Sequence, residues 1–246
     1  MQQTSELYKE IVSGNFDTES RLAVGKKTTA ISGLTTFFYG RDLFSIKTSR
    51  RTFQEGAHES SASPSVGGCI MGTIDVEMWL PSREIPRQAK LVPQVRVTDG
   101  TRFSEWISKG VYYIDTRKEK RTGRKRLLLT GYDDLAKAEQ DYPASALDWP
   151  AKDIDVVREI AQFIGVEIDP RTVALMTNAY EIQTPISQFS CRETLGNIAA
   201  LYGGNFVMND VGQLRLLILN EMPKPTRYLV DNTGAAITFG GVRILV

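Results

Sequence analysis

Residues 69 to 80 alternate with period two. Ile70, Ile74, Val76 and Met78 interleave with Thr73, Asp75 and Glu77, the pattern of a strand with one buried and one wetted face. Pro81 and Pro86 end it. Residues 91 to 98 alternate again through Val95 and Val97, and Asp99-Gly100 follows. That pair predicts a two-residue type I′ hairpin, whose central positions both need positive φ. The return strand is predicted over Thr101 to Ile107, a third over Gly110 to Thr116, and a fourth over Lys125 to Tyr132, flanking a polar tip at Thr122-Gly123. Together these segments predict an antiparallel meander.

Upstream, Leu7, Ile11 and Val12 share one face of a short helix over Ser5 to Val12. Residues 20 to 53 are rich in Thr, Phe, Ile, Leu and Val, with Gly25, Gly33 and Gly40 between short predicted strands. Residues 54 to 67 hold no large apolar residue except Val66 and predict a long exposed loop. Downstream the period changes. Asp133 to Pro143 predicts one or two helical turns, and a linker lies between Pro143 and Pro150. Asp153 is placed as the cap of an amphipathic helix whose stripe is Val156, Val157, Ile160, Ala161 and Ile164, stopped by Gly165. Ser190 and Glu193 have capping-box spacing, and Leu195, Ile198, Ala199 and Tyr202 form the buried face of the helix they open. Gly203-Gly204 terminate that helix. Two short strands, Asn205 to Met208 and Gln213 to Leu219, form a hairpin around Asn209 to Gly212, and a strand-like run covers Ala236 to Val246. The fold class is therefore α+β, mainly β.

Composition narrows the chemistry. The 246 residues carry 30 Lys+Arg against 29 Asp+Glu, a net charge of +1, which disfavours wholesale coating of nucleic acid or anionic membrane. No apolar stretch approaches the about 20 residues needed to span a bilayer, and the first residues, MQQTSELYKEIVSGNFD, lack a basic start followed by an apolar run. The single histidine, His58, rules out a two-His metal site and would have to serve any Ser-His or Cys-His machinery alone. It sits in the polar loop among Glu59, Ser60 and Ser61, without rigid support. Cys69 and Cys191 belong to no C-x-x-C and are expected to be unpaired thiols. No P-loop, G-x-S-x-G, H-E-x-x-H or G-x-G-x-x-G occurs. The carboxylate pairs Asp133/Asp134, Asp153/Asp155 and Glu139/Asp141 stand near helix starts or in linkers, where capping explains them better than catalysis. No cofactor and no catalytic residue is expected.

One dense charge cluster remains. Residues 117 to 126, RKEKRTGRKR, hold seven basic residues and one acid at the predicted hairpin tip. Arg117, Lys118, Lys120, Arg121, Arg124, Lys125 and Arg126 are candidate interface residues, able to contact phosphates or an acidic protein. The simpler reading is a solvated hairpin end whose charges discourage edge pairing, and this is the favoured one. Phe37, Phe38, Tyr39, Tyr112 and Tyr113 fall inside strand patterns and are assigned to packing.

The order of these segments resembles a family. Cys69 to Leu80, Ser104-Glu105-Trp106-Ile107-Ser108-Lys109-Gly110-Val111-Tyr112-Tyr113-Ile114-Asp115-Thr116, and Leu128-Leu129-Thr130-Gly131-Tyr132-Asp133 resemble prophage tail proteins of Gram-positive bacteria. Arg192-Glu193-Thr194-Leu195-Gly196-Asn197-Ile198-Ala199, followed by Gly203-Gly204-Asn205 and a hairpin, looks like the same family. These are the baseplate hub or tail-associated proteins, similar in fold to the hub of contractile phage tails. The resemblance covers most of residues 20 to 246. It implies a trimeric ring in which each chain contributes two barrel-like tube domains with a small α+β domain between them. Residues 1–141 would be an antiparallel, β-barrel-like tube domain, 142–235 the α+β domain, and 236–246 the start of a second tube domain. The apolar ending at Ile244-Leu245-Val246 independently reads as the opening of something longer.

The implied role is a structural virion component, made in the bacterial host cytoplasm, joining tail tube to tail tip. Its partners would be other tail and baseplate proteins and two further copies of itself, with no membrane and no specific nucleic acid. Two alternatives stand beside it: a fragment of a tail-associated peptidoglycan hydrolase or peptidase, and a nucleic-acid-binding module using residues 117 to 126.

Overall fold

A computed structural model describes residues 4–51, 66–121, 123, 125–177, 180–184, 188–218, 238–239 and 242–243. Ser5, extended, accepts a hydrogen bond from the Tyr8 amide and opens α1 (Glu6–Val12). Eight strands follow: β1 (Asp17–Gly25), β2 (Thr36–Tyr39), β3 (Leu43–Arg51), β4 (Gly68–Trp79), β5 (Lys90–Thr98), β6 (Ile107–Ser108), β7 (Tyr112–Lys120) and β8 (Arg126–Tyr132). The predicted helical turns form as a 3-10 helix, Asp134–Glu139, capped by Asp133. Beyond it come β9 (Ala151–Lys152), α2 (Asp153–Ile164), β10 (Glu167–Ile168), α3 (Pro170–Leu175), β11 (Glu181–Ile182), α4 (Cys191–Leu201), β12 (Gly204–Met208) and β13 (Gln213–Ile218). Within the closing run, β14 (Thr238–Phe239) pairs antiparallel with β15 (Val242–Arg243), where one strand was expected. The predicted loop over residues 54 to 67, His58 included, lies outside the described residues except for Val66 and Gly67.

The main sheet runs β10-β13-β12-β4-β8-β7-β5-β1-β2, with β3 added on β4 and β6 on β5. The class is α+β, dominated by sheet. β4 carries the organisation. Its start, Gly68 to Ile70, pairs parallel with Asn205 to Val207 of β12, while Thr73 to Trp79 pair antiparallel with β8 and Met71 to Met78 pair with β3. Its side chains feed two cores from opposite faces. Ile74, Val76 and Met78 enter one core with Leu22, Phe38, Leu91, Tyr112, Leu127 and Leu129, whereas Cys69 and Met71 enter another beneath α2 and α4. The sequence pattern grouped Ile70 with Ile74, but Ile70 is only half-buried. The strand changes its buried face near Gly72, where a second layer of helices begins to cover it.

The first core draws side chains from β1, β2, β4, β5, β7 and β8, so the sheet wraps around it, yet it does not close into the expected barrel. β2 is only four residues long and pairs with β1; the chain then turns at Gly40 to Asp42 and leaves for the edge of β4. Among the described residues β2 and β3 are not paired, and the second edge of β3 has no partner strand. A cleft of about 410 Å³ opens there, lined by Ser20, Pro93 and Val95 on one side and Leu43, Ile46 and Thr48 on the other.

The predicted meander is rearranged as well. β1 is inserted beside β5, and β5 meets β7 only at Lys90 and Leu91, so β4 and β5 are not neighbours. At the Asp99-Gly100 turn only Gly100 has positive φ, at 91°, so the turn is not type I′. Asp99 instead accepts hydrogen bonds from the Thr101 and Arg102 amides, and the return strand is reduced to a bridge at Phe103 and the two residues of β6. α2 begins at Asp153 itself, with Lys152 as its N-cap. Ser190 caps α4 in a full capping box with Glu193, as its spacing predicts.

Candidate functional site

The basic hairpin is the first candidate. β7 and β8 pair from Tyr113–Tyr132 out to Lys120–Arg126, with a bulge between Ile114 and Thr116. The bulge resets which side chains face inward. Beyond it Arg117 and Glu119 stand opposite Leu129 and Leu127, the core-facing positions of β8, while Lys118 and Lys120 stand opposite Leu128 and Arg126 on the outer face. Arg117 donates to the Ile85 carbonyl at 2.9 Å. Arg126 donates to Glu77 at 2.8 Å and lies over the Trp79 ring. Arg121 is 3.8 Å from Glu119, and Lys125 follows the tip, its amide carbonyl accepting from the Leu80 amide. Arg124 lies outside the described residues. The seven candidate residues thus do not converge. Arg117 and Arg126, at the two ends of the cluster, are engaged within the chain, and Lys118, Lys120, Arg121 and Lys125 are exposed.

Of the carboxylate pairs, Asp133, Asp134, Glu139, Asp153 and Asp155 are held in structural bonds, and Asp141 is exposed. Asp133 accepts from the Gly72 and Leu135 amides, Asp134 pairs with Lys137 at 2.6 Å, and Glu139 pairs with Arg192 at 2.7 Å. Asp153 is fully buried, accepting from the Tyr202 hydroxyl at 2.7 Å, and Asp155 pairs with Arg158. Among the described residues no group of three or more His, Cys, Asp or Glu is placed to hold a metal ion. Both cysteines are unpaired and buried, and burial pushes the Cys69 thiol up to about 12, where it stays protonated. No helix among the described residues is long and apolar enough to cross a membrane.

The segment Arg192 to Ala199, one of those that carry the family resemblance, proves architectural. Arg192 donates to the carbonyls of Cys69 and Leu135 at 3.0 and 3.3 Å, tying α4 to β4 and to the 3-10 helix, while Glu193 closes the capping box. Leu195 and Ile198 are buried in the second core.

One feature was not visible in the sequence. On the face of β1, β2 and β5 turned away from the first core, next to a small third core of Ala23, Leu34, Val92 and Val111 against which Phe37 packs, Arg21 lies 4.0 Å from the Phe37 ring centroid and 4.1 Å from that of Trp106, and Arg96 lies 4.2 Å from Phe103 and 4.5 Å from Trp106. Tyr39 meets Trp106 edge to face. These residues lie up to 85 positions apart, Arg21 to Trp106, and the β1–β2 and β1–β5 registers together with the loop after β5 bring them together. The aromatics of β2 do serve packing, but on this face they pack against guanidinium groups.

By sequence, no protein-family description and no curated protein matches the chain. Among solved structures it is similar to the 43 kDa tail protein of prophage MuSo2 from Shewanella oneidensis, at 15% identity over 83% of this chain and 56% of that one, with a TM-score of 0.49. It is similar to prophage tail protein gp18 from Listeria monocytogenes EGD-e, at 9% identity over 87% of this chain and 55% of that one, with a TM-score of 0.46. It is also similar to a tail protein from Neisseria meningitidis MC58, at 15% identity over 91% of this chain and 54% of that one, with a TM-score of 0.44. The chain spans a little over half the length of these proteins.

Proposed function

We propose that the chain is a structural component of a phage or prophage tail, a baseplate hub subunit that joins the tail tube to the tail tip and performs no catalysis. The observation that carries this reading is the unclosed sheet. A strand edge that has no partner among the described residues, beside a cleft of mixed polar and apolar lining, is a liability for a lone chain, because its unpaired N–H and C=O groups template association. Here the β3 edge and the cleft stand together, and a ring of subunits would cover both while building a continuous tube wall. The ordered resemblance of residues 69–80, 104–116, 128–133 and 192–205 supports the same role.

Within this reading residues 1–141 form the tube-type domain, 142–235 the α+β domain, and 236–246 begin a further one. Three copies assemble into the ring, with other tail and baseplate proteins above and below. The exposed Lys118, Lys120, Arg121 and Lys125, at the tip of a charged hairpin arm, are the part of the 117–126 cluster available to a neighbouring tail protein. Deleting the coding sequence in the source bacterium tests the role: tails that lack tips, restored by the intact gene, are expected. Normal, complete tails assembled without the chain would overturn it.

A further inference from the structure

Arg21 and Arg96 share one array of rings but differ in their charge partners. Arg96 is neutralised, its Nη2 lying 2.6 Å from Glu19 Oε2 and its Nε donating to the same oxygen at 2.7 Å. Arg21 has no such partner. Its Nε donates to the neutral amide oxygen of Gln94 at 2.7 Å, and among the described residues no carboxylate lies within ion-pair distance of it. Glu19, two positions along the same face of β1, is engaged with Arg96. The Arg21 side chain is half-buried, and its Nη1 and Nη2 are neither hydrogen-bonded within the described residues nor sealed from solvent.

This is an unusual expense of order for a surface arginine. A guanidinium held against two aromatic faces and fixed at Nε has lost most of its rotamer freedom, and the remaining Nη edge is the planar fork that matches a carboxylate. The rings hold the plane while Gln94 sets its rotation. With Arg96 paired to Glu19, Arg21 is the uncompensated cation of the array, and its planar fork matches the two coplanar oxygens of a carboxylate. Around the fork, Tyr39 is 42% and Phe103 46% exposed, so apolar surface flanks it. Arg, Trp and Tyr grouped in this way are the residues that dominate protein–protein contacts.

We propose that the exposed end of this face, around Tyr39, Phe103 and Trp106 and beyond the small Ala23–Val92 core, is a protein-docking surface in which Arg21, clamped by Phe37 and Trp106, receives a carboxylate of a partner chain. The contact is distinct from the sheet edge of β3 and from the basic hairpin, and it holds whatever the larger assembly is. Nothing is transferred; the surface binds.

Sodium benzoate serves as a probe that joins one carboxylate to one ring, with benzamide as its uncharged counterpart and inorganic phosphate as the other anion. The readouts on the full 246-residue chain are the Arg21 Nε–Hε and Trp106 indole N–H resonances. Benzoate is expected to shift both saturably and benzamide neither. Arg21→Lys keeps the charge but not the fork, and should weaken benzoate binding by about tenfold or more. Gln94→Glu supplies the missing carboxylate inside the chain; it should raise the melting temperature and abolish the benzoate shift. Equal shifts from benzamide, tighter binding of phosphate, or undiminished binding in Gln94→Glu would each overturn the proposal. The thermal measurement on Gln94→Glu keeps the test valid if Arg21→Lys fails to fold.

Discussion

Asp169 is 2% exposed, yet it must stay ionised, because it accepts from the Arg171 guanidinium at 2.5 and 2.9 Å, from the Arg171 amide and from Asn209. The Arg171 fork, more than any other group, holds its carboxyl well below the usual carboxylate range. A carboxylate depressed in the folded state contributes stability above its unfolded pKa, about 4, and loses it as pH falls toward the folded value. Asp169→Asn should therefore be destabilised relative to the parent near pH 7, with the gap in melting temperature narrowing below about pH 4. A gap independent of pH would show that the ionised form is not what matters. Gly131 illustrates a different constraint. A Cβ there would lie 2.5 Å from the Tyr113 carbonyl oxygen and 3.2 Å from Ile74 Cγ2, in the middle of the β4–β8–β7 pairing. Gly131→Ala should cost about 1–3 kcal/mol in denaturant unfolding, since strand backbone must move to admit it.

At the level of elements, α4 shows how a motif becomes architecture. Its first turn is secured twice, by the Ser190–Glu193 capping box and by Arg192 reaching the Cys69 and Leu135 carbonyls. Arg192→Ala leaves two buried carbonyls without their donor and Glu139 without its ion-pair partner, and about 2–3 kcal/mol of stability should be lost, measured by chemical denaturation. A loss below about 0.5 kcal/mol would mean that water replaces the guanidinium at no cost. The same elements divide into those the sequence made legible and those it did not. α2 and β4 were legible in their period and α4 in its period and capping box, because these are local properties of consecutive residues. The placement of β1 between β5 and β2 was not, since strand neighbours are chosen by core packing across the whole sheet. Asp99-Gly100 announced a turn correctly, but the Asp99 side chain bound two backbone amides and selected another turn type. The Arg21–Trp106–Arg96 array was invisible for a similar reason: no spacing in the chain encodes a contact made through two strand registers and a loop.

Over the whole molecule, two cores share one strand, and a sheet wraps the first core without closing. The basic hairpin was legible as a charge cluster, but its geometry was not, because the bulge at Ile114–Thr116 turns Arg117 toward the core side and leaves Lys118 and Lys120 outward. Replacing Lys118, Lys120 and Arg121 together with Gln should change stability by less than about 0.5 kcal/mol, as expected for exposed positions. In the proposed assembly the same change should lower incorporation into tails; unchanged incorporation would assign the cluster to solvation alone. The unclosed sheet makes the broader claim, that this chain is completed by copies of itself in a ring. Counting copies of the chain per purified tail particle by quantitative mass spectrometry tests it most directly. Three copies per particle is the predicted result, whereas six, or its absence from particles, would contradict the trimeric hub.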